Sequence, residues 1–140
     1  MKIKFNKAIQ LFRISGNISI DNGDLKKKLK KIWIELLPLA EKWDYALEKK
    51  DQDAKPIKEK YSSKFQALSD KMKKEKEAEY NAKIDEEISN LVSSKAVVDL
   101  DESEVDVNLP SFTMDEFEFL ADILNPTVIS RPFYILVEKK

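Results

Sequence analysis

Five carboxylates fall in one short stretch of the chain, Asp99, Asp101, Glu102, Glu104 and Asp106. Such a run concentrates the oxygen ligands that calcium or magnesium takes. The residue order does not fit the helix-loop-helix calcium site: counted from Asp99, the glycine position holds Glu104 and the bidentate glutamate position holds Pro110. No metal is therefore expected, and the run reads as a solvated acidic hairpin whose use would be to meet another protein. A second group, Asp44, Asp53 and Lys55, has the acid and lysine spacing of metal-dependent nucleases. In those enzymes the residues converge on a metal from adjacent strands; here they fall at a helix end and in a polar reversal, so the spacing is assigned to chance. The third group is basic. Lys26, Lys27, Lys28, Lys30 and Lys31, with Trp33 beside them, could neutralise phosphates. Glu35, Glu41 and Glu48 follow on the same predicted helix, and Arg13 and Arg131 are the only arginines. The lysines therefore read first as the wet face of a helix and second as a nucleic-acid contact.

The chain has no cysteine and no histidine. Without thiols there is no disulfide framework, thiolate nucleophile or cysteine-bound metal. Without imidazole the usual general base near neutral pH is missing, and a Ser-His-Asp triad cannot be built. Gly16 and Gly23 are the only glycines, too few for a glycine-rich phosphate cradle. No catalytic residue and no cofactor is expected, and the chain is read as not an enzyme. No run approaches the roughly 20 apolar residues of a membrane span, and the stretch 8–14 is interrupted by Gln10 and Arg13, which makes a poor secretory core. The expected location is the cytoplasm, and no membrane partner is expected.

These groups must be positioned by a mainly helical α+β fold: a long helical hairpin with a small C-terminal strand and helix subdomain. At 140 residues and 42% apolar content the chain suits one domain with a modest core. Its parts are an N-terminal strand and short helix (1–23), the hairpin (24–92) and an acidic strand-helix-strand subdomain (93–140). Lys2 to Phe5 alternates like a strand, and one or two helical turns are expected after Asn6 as cap. Asp21, Asn22 and Gly23 signal a turn, with Asp24 as the next cap. Leu25, Leu29, Ile32, Leu36, Leu39, Trp43 and Ala46 then recur at steps of four and three, a stripe that keeps its phase through Pro38 and so predicts one kinked helix. Polar residues 49–55 followed by Pro56 predict the hairpin reversal and a new helix start. Ile57, Tyr61, Phe65, Leu68 and Met72 form the facing stripe, resumed by Tyr80, Ile84, Ile88 and Leu91, with Trp33, Trp43, Tyr61, Phe65 and Leu68 as the hairpin core. Ser93 and Ser94 mark the helix exit. Val97 to Leu100 and Val105 to Leu109 read as strands, Ser111 or Thr113 caps a short helix through Leu124, and Phe133 to Val137 is a last strand. The two terminal strands are candidates to pair with each other or with a neighbouring subunit.

Charge is segregated along the chain. Residues 1–80 carry 20 Lys and Arg against 13 Asp and Glu, and residues 81–140 carry 5 against 13, giving +7 and −8. Complementary halves of this kind can dock within one chain or head to tail between chains. The order of features from Tyr80 onward, with Tyr80, Ile84, Ile88 and Leu91 closing a Lys/Glu-rich helix before the acidic strands and the helix of Phe117 and Leu120, resembles small uncharacterised proteins of tailed bacteriophages. That resemblance covers about half the chain and implies no catalytic residues. The functional expectation is a non-enzymatic phage or mobile-element protein that binds another protein, as an assembly component or accessory factor; what the resemblance implies for location is the host-cell cytoplasm, with association with the virion as the alternative. The first alternative is an inhibitor of a host nucleic-acid enzyme, such as a nuclease defence system, acting through the acidic C-terminal region. The second is nucleic-acid binding through Lys26 to Lys31.

Overall fold

A computed structural model describes residues 1–125 and 132–138. The fold is mainly helical, with one two-stranded antiparallel sheet. In chain order the elements are β1 (Lys2–Lys4), α1 (Phe5–Asn17), α2 (Gly23–Gln66), α3 (Asp70–Ser89), α4 (Val92–Glu102), β2 (Glu104–Asp106), α5 (Met114–Ile123) and a 3-10 turn at Tyr134–Leu136. The chain divides into two compact units, one made of 1–42 with 101–140 and the other of 43–100.

The first unit holds most of the buried apolar side chains. Ile3, Ala8 and Leu11 from the N-terminal elements meet Leu25, Leu29, Ile32 and Leu36 of α2 and Val107, Phe112, Leu120, Phe133 and Leu136 from the C-terminal part. The four α2 residues recur at i, i+4, i+7 and i+11, which places them on one helical face. Their partners are thus the N- and C-terminal segments and not the far arm of a hairpin, as the stripe alone had implied. Trp33, expected in a hairpin core, is instead half-exposed and stacked on Phe12 of α1, with ring centroids 5.7 Å apart.

Local chemistry explains the element boundaries. The helix after β1 begins at Phe5, with Lys4 as N-cap rather than Asn6, and runs for 13 residues instead of one or two turns; Phe5, Ala8, Ile9, Leu11 and Ser15 give it a buried face along its whole length. At the start of α2 the cap is Asn22, not Asp24: its Oδ1 accepts from the Leu25 amide at 3.1 Å. The helix then continues through both Pro38 and Pro56 for 44 residues. Each proline frees a carbonyl four residues earlier, at Ile34 and Gln52, and both of those residues are exposed, on the side of the helix where solvent can take the lost bond. The reversal predicted at 49–55 lies instead after Gln66, where the Ser69 hydroxyl accepts from the Met72 amide and starts α3.

In the second unit, the C-terminal half of α2 and α3 form the two antiparallel arms of a helical hairpin. Lys60 pairs with Glu87 at 3.0 Å, and Tyr80 sets its ring edge-on to Tyr61 and Phe65 with centroids 6.0 and 5.9 Å away. Apolar burial here is sparse, with Ala54, Tyr61 and Val97 as the buried apolar side chains among the described residues.

The acidic region departs from the two-strand reading. Residues 97–100 belong to α4, because Ser93, Ser94 and Val97 form its buried face, and small serines conceal a helical face from a hydropathy pattern. The strand that does form, β2, pairs with β1 in the register Lys2 with Asp106, Ile3 with Val105 and Lys4 with Glu104. Each cross-strand pair of exposed side chains is thus lysine against carboxylate, a favourable combination in an antiparallel ladder. Phe133 to Val137 is not a strand and does not pair with the N-terminus: it forms the 3-10 turn and a single parallel bridge between Phe112 and Val137. Pro132 and the buried Phe133 and Leu136 favour a compact turn that fills the core over an extended edge.

Candidate functional site

The five acids singled out in the sequence do not form one constellation. Asp99, Asp101 and Glu102 lie on the last turn of α4, whereas Glu104 and Asp106 lie on β2. Glu104 stands opposite Lys4 and Asp106 opposite Lys2, and Asp106 also takes an ion pair from the Met1 amino group at 3.0 Å. Two of the five carboxylates therefore already answer basic groups of the same chain. Among the described residues no group of three or more acidic side chains is placed to hold a metal ion. Asp44 and Asp53 both lie along α2, as does Lys55, so they do not converge from strands.

The lysine cluster is split by its helix. Lys28 points to the flank of α2, where its Nζ is bonded to the Glu116 carboxylate and lies 5.6 Å from the centre of the Phe112 ring. Glu116 closes a capping box on α5: its amide donates to the Thr113 hydroxyl at 3.2 Å and its carboxylate accepts from the Thr113 amide at 3.0 Å. Burial works against the charge on Glu116, but the Lys28 hydrogen bond, the Thr113 amide, the Lys28 charge and the Thr113 hydroxyl outweigh it and hold the carboxyl below its usual range. Lys28 is thus a structural residue that positions α5.

Lys26, Lys27, Lys30 and Lys31 are all exposed. At 3.6 residues per turn they cover an arc of about 140° on the side of α2 away from the buried stripe. In the same region stand two large apolar side chains, Trp33 and Ile34, with 37% and 55% of their surface exposed. Beside them a groove of about 320 Å³ is lined by Gly16, Ile18, Ile20, Leu29 and Trp33, with Lys26 and Lys30 at its edge. Gly16 is needed for this closeness: a Cβ there would stand 2.9 Å from Trp33 Cδ1.

A second face was missed by sequence reasoning. On α5, Leu120 is buried and Phe117 and Ala121 pack against the core, while the opposite arc exposes Met114, Phe119 and Ile123 together with Asp115, Glu118 and Asp122. The signal was present, since a helix of this length whose large apolar residues occupy two sides cannot bury both. The denser acidic run at 99–106 dominates the charge pattern of this region and masks it. A third feature is a smaller groove in the second unit lined by Tyr61, Phe65, Tyr80 and Ile84.

Comparison of the chain with protein-family models, with curated proteins and with solved structures found no match in any of the three. Among the described residues no helix is long and apolar enough to cross a membrane.

Proposed function

We infer that this chain is a non-enzymatic protein that works by binding another protein, as an assembly component or accessory factor of phage or mobile-element type in the host cytoplasm. The observation that supports the reading is the exposed pair Trp33 and Ile34 set within four exposed lysines and next to a groove. An aromatic and an aliphatic anchor surrounded by polar groups is the usual make-up of the centre of a protein interface. The acidic surface first considered for an inhibitor supports that alternative less well, because Glu104 and Asp106 already face Lys4 and Lys2. The lysine face also bears on nucleic-acid binding, which would require affinity that falls steeply with salt.

Affinity capture with the full chain tests the reading. A protein recovered in stoichiometric amount by the wild type and lost with Lys26→Glu/Lys30→Glu is the expected result. Recovery of no other protein, or equal recovery by the variant, would overturn the binding of a different protein at this face. Salt-dependent recovery of nucleic acid in place of protein would move the reading to the second class.

A further inference from the structure

Four exposed apolar side chains of the first unit lie in two patches of opposite charge, apart from Met1, Tyr134 and Ile135, which are exposed elsewhere. Trp33 and Ile34 lie among Lys26, Lys27, Lys30 and Lys31, while Phe119 and Ile123, exposed at 39% and 47%, lie among Asp115, Glu118 and Asp122. Resting on the protein-binding reading above, we propose that the occupant of the lysine face is the α5 face of a second copy of this chain, joined head to tail.

The dimensions agree. Asp115 to Asp122 runs along about 10 Å of helix and Lys26 to Lys31 along about 7 to 8 Å, a difference that flexible lysine side chains span. Phe119 of one copy fills the groove beside Trp33, Ile123 covers Ile34, and the acids meet the lysines around them. Within one chain both faces are left exposed. Leu120 holds α5 inward, and the Lys28 bond to Glu116 fixes it to the flank of α2, so the acidic arc is on the side of α5 left to solvent. Because the two surfaces differ, the contact leaves a free face at each end, and it propagates to a ring or an open chain. The groove of the second unit has weaker standing as a docking place, since Lys60, Lys64, Lys73 and Lys83 of the same chain already lie over its aromatic rings.

Sedimentation velocity of the full chain, from low micromolar to sub-millimolar concentration at low and high salt, reads the assembly directly. The wild type should grow in mass with concentration and shrink with salt. Glu118→Lys/Asp122→Lys and Lys26→Glu/Lys30→Glu should each weaken association by about tenfold or more, and a mixture of the two variants should regain association, because each supplies one intact face. Phe119→Ser, which leaves charge unchanged, should weaken it at every salt concentration. All these positions are exposed, and a circular dichroism melt of each variant confirms folding. A wild type that is monomeric throughout, or association that the charge variants keep, overturns the proposal. A benzophenone amino acid in place of Ile34, used in cells, separates this failure from that of the broader reading. Cross-links that map to α5 of another copy support self-docking. Cross-links to a different protein alone overturn self-docking but keep a protein-binding face, and no cross-link to any protein removes both.

Discussion

Replacing Leu36 with alanine tests where the core lies. Leu36 is fully buried on α2, in the cluster that also holds Ile32, Phe112 and Leu120. Removing a buried leucine side chain loses its transfer free energy and leaves a cavity, at a cost of about 2 to 5 kcal/mol. Taking about 3 kcal/mol and a cooperative unit of about 80 residues, for which 1 kcal/mol shifts the midpoint by about 4 to 8 °C, the melting temperature should fall by about 12 to 24 °C. If the whole chain melts as one transition the fall is about half that. Ile34 is the matched control: it lies two residues away on the same helix but is 55% exposed, so Ile34→Ala should stay within about 0.5 kcal/mol of the wild type. Differential scanning calorimetry, with helicity followed by circular dichroism, measures both and shows whether one transition or two occur. Equal shifts for the two variants would refute the assignment of faces on α2, as would a shift of under about 2 °C for Leu36→Ala.

Further outcomes follow from individual positions. Thr113→Ala should destabilise the protein by about 1 kcal/mol in urea melts, and Thr113→Ser should restore most of it, because the loss is that of a helix cap. Glu116 has a folded pKa below its ordinary value of 4.5, so its stabilising contribution is complete above pH 4.5 and is lost as the pH falls through the lower folded value; the stability gap between wild type and Glu116→Gln should therefore close in acid. Gly23→Ala should raise the melting temperature slightly, because nothing lies within 4 Å of the new Cβ and alanine is the better helix former, whereas Gly16→Ala should displace the Trp33 ring and shift its fluorescence in a Trp43→Phe background. Glu87→Gln, which removes an exposed ion pair with Lys60 but keeps an oxygen that can accept from the Tyr61 hydroxyl, should leave the melt unchanged within error, while Tyr61→Ala should lower it, since Tyr61 is among the few buried apolar side chains of its unit.

Periodicity carried much of the fold, though not the identity of the packing partners. The stripe Leu25, Leu29, Ile32 and Leu36 is buried as its spacing requires, and the Thr113 cap with acids in the first turn of α5 forms as its residue types require. The strand at the N-terminus was legible from alternation, but its partner was not, because the lysine-carboxylate match with β2 joins positions about one hundred residues apart and local pattern carries no such information. Pro56 misled for a physical reason: a proline is equally at home at a helix start and at an exposed site where solvent takes the freed carbonyl, and the surrounding Lys, Glu and Ala favour continuation. The acidic run was conspicuous by density, yet its members divide between α4 and β2. The α5 face needed the burial of Leu120 to reveal which side of that helix was left over.

The pairing of β1 with β2 also bears on the order in which the molecule is made. Residues 1–42 and 101–140 complete one unit while 43–100 form the other, so a chain emerging from the ribosome presents the apolar stripe of α2 well before Val107, Phe112 and Leu120 exist to cover it. The intervening hairpin can close first, from contacts near in sequence, while the earlier segment waits for closure of a loop spanning most of the chain. During that interval Leu25, Leu29, Ile32 and Leu36 have only the N-terminal part of their cover, Ala8 and Leu11 among it, and slow or interrupted translation past residue 100 lengthens their exposure to chaperones and to other nascent chains.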